Sequence, residues 1–343
     1  MRIPRWSAIA YLCATGVLGG VLLTQVGATQ VPSAGAAGGI PADDADVIRV
    51  EVSVVNVLCT VRDRKGGLVD TLDKAAFEIR EDGKPQQIVY FSRENNIPLT
   101  VGLLFDSSVS QERLIPSERE ASELFFNTFL QPHDAAFLIG FDASVELLQD
   151  VTSSKDDLRD GLGNIRVHDG SPAGLGPFPS INVGGTHLFD AVFLAAEDVI
   201  AREAGRKALI LITDGQDQGS KVSLDRALRA AHEADTIIYG ILFVDQSFYG
   251  SRGMGAGYSG DDTLRKMAEQ TGGRVFRADN DTELNRAFNE ISQELRTLYS
   301  IGYSPTNSAE DGSFRKIDVR MKTGGMKVQA RKGYYAPDGT EPR

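Results

Sequence analysis

The chain has 343 residues, 41% of them hydrophobic and 24% charged, which is enough to bury one large domain or two. Its formal charge of −11, from 36 basic and 47 acidic residues, argues against nucleic acid or an anionic membrane surface as the main partner, and no basic cluster reverses that balance locally. Two cysteines, Cys13 and Cys59, cannot build a disulfide framework, and His133, His168, His187 and His232 lack zinc spacing, so they are expected on surfaces or loops.

Arg2 and Arg5 precede an apolar stretch from Ser7 to Val26 that ends in Val26-Gly27-Ala28, the three-part plan of a secretory signal cut after Ala28. The same stretch is nearly long enough to remain as a membrane anchor. Either outcome places the body of the protein outside the cytoplasm. Residues 29–46, rich in Gly, Ala, Pro and Ser, read as a flexible linker. Order begins at Val47. From Arg49 to Thr60 the apolar alternation changes phase, which predicts a bulge. A short strand or extended piece follows at Leu68–Leu72 and a strand at Phe77–Glu81, and Asp82-Gly83 predicts a hairpin with Gln87–Phe91 returning. Residues 47–95 are thus all β, with too few strands for a core of their own.

From Pro98 strands alternate with helices. Val101, Leu103, Leu104 and Phe105 read as a strand buried on both faces. Then come a helix at Pro116–Leu130, strands at Ala135–Phe141 and Val145–Leu148, and a helix at Ser153–Ile165. His168–Gly185 is a Gly- and Pro-dense loop of functional length. The series continues with a helix at Leu188–Ala204, the very apolar strand Lys207–Thr213, a helix at Ser223–Ala234 and a strand at Thr236–Val244. After a second Gly-rich loop at Ser247–Gly260 come a helix at Asp262–Thr271, a strand at Arg274–Arg277 and a helix at Asp281–Leu298 capped by Asp281. Such alternation predicts an α/β fold with a doubly wound, mostly parallel sheet over residues 98–298. Tyr299–Tyr303, Arg315–Lys322 and Lys327–Arg331 return to β, and residues 299–337 are expected to complete a discontinuous β-sandwich with the early strands.

Candidate chemistry gathers at one sheet edge. Asp106, Ser108 and Ser110 follow the first buried strand, Thr186 opens a helix after Gly184-Gly185, and Asp214 ends the most apolar strand. In a parallel sheet these positions share the carboxyl edge, where ligands of open α/β folds bind. The donors are hard oxygens, which suit magnesium, manganese or calcium over zinc or copper. Two carboxylates leave a divalent ion electrophilic and able to take an external carboxylate. His187 borders this group, and Tyr249 and Tyr258 lie on a loop expected to rise beside it. No Gly-x-Ser-x-Gly elbow, P-loop or dinucleotide fingerprint occupies a strand-to-helix junction.

Asp106-Ser107-Ser108-Val109-Ser110, with Thr186 and Thr213-Asp214-Gly215, resembles the metal-ion-dependent adhesion site of von Willebrand factor type A (VWA) domains. The flanks, with Asp82-Gly83 ahead of the domain and Gly333-Tyr334 near its end, are similar to the VWFA-related Acidobacterial domain family. The resemblance implies that Ser108, Ser110 and Thr186 coordinate a divalent cation, most simply Mg2+ with Mn2+ or Ca2+ as alternatives, while Asp106 and Asp214 act largely through bound water. With the export-like N-terminal segment, and with no general base beside this complete site, the leading expectation is an exported, non-enzymatic module that captures an acidic residue of a partner protein. A metal-assisted hydrolase or phosphatase using Asp106 and a metal-independent envelope scaffold are the competing expectations.

Overall fold

The computed structural model describes residues 54–93, 97–166, 185–244 and 259–339. The signal and linker expected over residues 1–46, most of the loop at 168–185, and Tyr249 and Tyr258 lie outside the described residues. Among those described, no helix is long and apolar enough to cross a membrane.

A six-stranded sheet is the centre of the fold. It is built from β5 (Leu99–Asp106), β6 (Ala135–Phe141), β7 (Val145–Thr152), β8 (Arg206–Thr213), β9 (Thr236–Phe243) and β10 (Val275–Ala278). The order is β10-β9-β8-β5-β6-β7, parallel except for the last pair. All eight residues of β5 are buried, as its unbroken apolar run predicts. Leu99, Val101, Leu103 and Phe105 pack into one helix layer and Leu104 into the other. The first layer contains α1 (Ile115–Phe129), α2 (Lys155–Gly163) and α6 (Asp281–Arg296). The second contains α3 (Leu188–Leu194), α4 (Leu224–Glu233) and α5 (Ser259–Thr271).

Several local expectations change. The helix predicted over 188–204 is α only to Leu194, then runs through a π turn at Ala195–Val199 and a tight turn at Ile200–Arg202. Asn280, not Asp281, caps α6, its side chain accepting from Glu283 N at 3.0 Å. His232 is no surface residue: it is buried at the end of α4 against Phe314 and Tyr335, where burial and Arg331 hold its pKa down at about 4. Cys59 is a buried free thiol pushed up to about 12 by burial.

The remaining strands make two antiparallel sheets. One has the order β13 (Lys327–Ala330), β1 (Val55–Arg62), β11 (Tyr299–Tyr303), β4 (Ile88–Ser92); the other has β14 (Gly333–Tyr335), β12 (Phe314–Met321), β2 (Phe77–Glu81), β3 (Lys84–Gln86). Both sheets therefore mix early and late strands, and they share one core that includes Val57, Cys59, Phe77, Ile79, Tyr299, Ile301 and Ile317. Asp82 and Gly83 take positive φ (47° and 81°), the turn that the Asp-Gly pair favours. The returning strand starts earlier than predicted, at Lys84, and after Gln86 the chain crosses to the other sheet as β4. Residues 68–72 form only a single bridge, Leu68 to Arg62. The Tyr299 hydroxyl replaces a ladder there, donating to Val69 O (2.8 Å) and accepting from Leu72 N (3.1 Å).

Candidate metal centre

Asp106 ends β5 and Asp214 follows β8, and these strands are adjacent and parallel. Both residues therefore reach the carboxyl edge side by side. Ser110 Oγ donates to Asp214 Oδ2 at 3.1 Å, and the hydroxyls of Ser108 and Ser110 lie 3.0 Å apart in hydrogen-bond contact. Ser108 N donates to Asp106 Oδ1 at 3.0 Å, which folds the loop back over its own carboxylate. Four of the five predicted ligands thus form one connected group.

Thr186 reaches the same edge through its backbone. It exchanges two main-chain hydrogen bonds with Gln218 (3.0 and 2.8 Å), and His187 N donates to Asp142 O (2.7 Å) just past β6. Gln218 is thus the backbone partner that anchors Thr186. Asp217 is structural as well, its carboxylate accepting from Phe189 N (3.2 Å) at the start of α3. His187 sits at the N-cap position of α3, largely covered, with Nδ1 3.8 Å from Asp190 Oδ2.

Thr213 is the site residue whose role its spacing does not disclose. Its hydroxyl donates to Asp106 Oδ2 at 2.5 Å and accepts from Gly215 N at 3.0 Å, so one side chain ties the two acidic corners together. Gln216 N donates to Asp214 Oδ1 at 3.0 Å. Behind Asp214, Gly215 (φ 79°) lies flat against Gly260 in the first turn of α5. A Cβ on Gly260 would fall 2.3 Å from Asp214 O, so the strand end and the helix start touch backbone to backbone.

The electrostatics are those of two acids forced together. Burial, then the charge of Asp214, pushes Asp106 up to about 7, against hydrogen bonds from Ser108 and Thr213 that favour its ionised form. Among the described residues no cluster of three or more His, Cys, Asp or Glu forms. The donor set is two carboxylates with hydroxyls, which suits a hard divalent cation, and a cation there would relieve the repulsion that raises Asp106. None of these residues lines the cavity of about 750 Å³ between α4 and the C-terminal strands, which is bordered by Arg226, Arg229, Arg331 and Tyr335.

The profile of the von Willebrand factor type A domain matches residues 103–290, more than half of the chain. The chain belongs to the VWA family. Among solved structures, proximal thread matrix protein 1 from the mussel byssus is 16% identical with a TM-score of 0.46, covering 68% of this chain. The chain spans about half (51%) of that protein's length. A second structure of the mussel protein has a zinc-occupied MIDAS motif, at 18% identity and TM-score 0.46, with 62% and 48% of the two chains covered. The vWF domain of the pilus tip protein Mfa5 from Porphyromonas gingivalis is 12% identical with a TM-score of 0.43, covering 57% of this chain and 94% of that one. No curated protein matches the chain.

Proposed function

We propose that this VWA chain is an exported, metal-dependent binding module that captures an acidic side chain of a partner protein. Asp106, Ser108, Ser110, Thr186 and Asp214 would hold a divalent cation, with Mg2+ the first choice. The bound ion would supply an electrophilic open position for an external carboxylate. One observation carries the reading: Asp106, Ser108, Ser110 and Asp214 are joined by hydrogen bonds at one sheet edge, with oxygen as the sole donor type and two buried acids side by side. Both Asp106 oxygens already accept hydrogen bonds and the side chain is fully buried, which favours this role over that of an attacking nucleophile. His187 at the rim, with Tyr249 and Tyr258 of the Gly-rich stretch after Thr236–Phe243, would meet the partner. The same reading takes residues 1–28 as an export signal, 29–46 as a linker, 98–298 as the VWA body, and 47–95 with 299–337 as the sandwich.

Calorimetric titration with magnesium and with manganese tests the centre. Binding should be measurable in the wild type and lost in Asp106→Ala. An array of peptides bearing Glu, each beside its Gln counterpart, tests the partner chemistry: retention should require both the carboxylate and the cation. Equal retention of Glu and Gln peptides in chelator counts against acidic capture.

A further inference from the structure

Behind the cation site lies a polar group that the binding motif does not contain. Gln111, Glu118 and Ser122 are fully buried, and the amide of Gln111, both carboxyl oxygens of Glu118 and the hydroxyl of Ser122 have no hydrogen-bond partner among the described residues. Their spacing of seven and then four residues stacks them along one side of α1 and the turn leading into it. That turn grows out of the site itself. Gln111 follows Ser110, Gln111 N donates to Ser108 O (2.9 Å), and Leu114 N donates to Gln111 O (2.8 Å).

Among the described residues Glu118 faces no basic partner, and the charge that acts on it is that of Asp106. Burial first and that repulsion second raise its pKa well above the carboxylate range, so it is a neutral acid able to donate a hydrogen bond. Unpaired buried polar atoms are satisfied by ordered water, and a buried water takes about three polar partners. A helix side facing the core has no folding reason to carry three such groups, since an apolar residue of the same size is more stable there.

We propose that Glu118, supported by Gln111 and Ser122, is a positioning residue of the cation site, holding ordered water that donates to Asp106 and steadies it for the ion. The inference rests on the reading of the site as a cation centre and adds to it the residue that tunes affinity from behind. Glu118 touches neither ion nor partner. Its cost is borne by the fold and its effect is read at the site.

The test uses the full chain, manganese titration by calorimetry and thermal melting in chelator. Glu118→Leu should weaken manganese binding about tenfold while raising the melting temperature by a few degrees. Glu118→Gln keeps a donor and should bind within about twofold of the wild type. Ser122→Ala, a milder change, should weaken binding severalfold without loss of stability. Glu118→Leu with wild-type affinity overturns the proposal, as does Glu118→Leu that loses affinity and stability together, or Glu118→Gln that binds as poorly as Glu118→Leu. A wild-type chain that binds no manganese refutes the cation reading, and the role of Glu118 falls with it.

Discussion

Asp106 is caught between burial beside a second acid, which favours its neutral form, and hydrogen bonds that favour its ionised form. Its folded pKa of about 7 lies above the ordinary value of 3.8, so between those limits the folded state keeps a proton that the unfolded state has released. Stability must therefore fall as pH rises through that window, by on the order of a few kcal/mol from this group. Chemical denaturation in chelator at pH 4.5 and 7.5 should show the decline, and Asp106→Asn should remove most of its own share. Adding magnesium at the upper pH should restore stability to the wild type alone, because the cation requires the ionised carboxylate. At this scale the site is partly legible in the sequence. Asp106, Ser108 and Ser110 declare themselves by alternation after an apolar run, and Asp214 by its place at a strand end. Thr213 and Glu118 do not, because a Thr closing a strand and a Glu in a first helical turn fit the ordinary patterns of their elements.

Elements bring those residues into register through two backbone contacts. Thr186 is fixed by its ladder with Gln218, and Asp214-Gly215 is fixed by the first turn of α5. Gly260→Ala should force that helix start away from the strand, since the added methyl would lie 2.3 Å from a carbonyl oxygen that cannot rotate aside. The expected result is a loss of about 1–3 kcal/mol in denaturant melts together with weaker manganese binding. Gly163→Ala, at a helix end with open space around it, is the control and should be neutral or slightly stabilising. Equal behaviour of the two variants would show that the contact does not position Asp214. The continuous apolar runs reveal the buried strands, yet periodicity does not say where a strand goes next. The strand expected to return at Gln87–Phe91 is replaced by two, Lys84–Gln86 and Ile88–Ser92, because hairpin chemistry fixes the turn at Asp82-Gly83 but not the sheet that the chain joins afterwards. The shift of the α6 cap from Asp281 to Asn280 has the same origin, since two adjacent residues carry equivalent capping groups.

Across the whole molecule, the two-sheet unit joins the central sheet at its amino edge, opposite the candidate cation site. Helix α6 runs directly into β11, and Arg206 donates to Leu295 O in the last turn of that helix and to Leu298 O just beyond it, both at 3.3 Å. Glu294 is the centre of the junction. Fully buried on α6, it takes Arg62 of β1 and Arg274 ahead of β10 at 2.5 Å each, and Gln329 of β13 at 3.3 Å. One carboxylate thus binds both sheet systems, and removing its charge would strip Arg62 of that acid and leave Arg274 with Glu290 at 2.7 Å. Breaking a buried pair of this kind typically costs about 3–5 kcal/mol. Glu294→Gln keeps the shape and loses the charge, so scanning calorimetry should show a lower melting temperature and a single transition split in two as the units uncouple. Manganese affinity should remain at the wild-type level, because the site stands at the other end of the strands. A split transition with intact cation binding identifies Glu294 as a joint between the two units, whereas an unchanged melt means that the apolar packing along α6 and β11 holds them together without it.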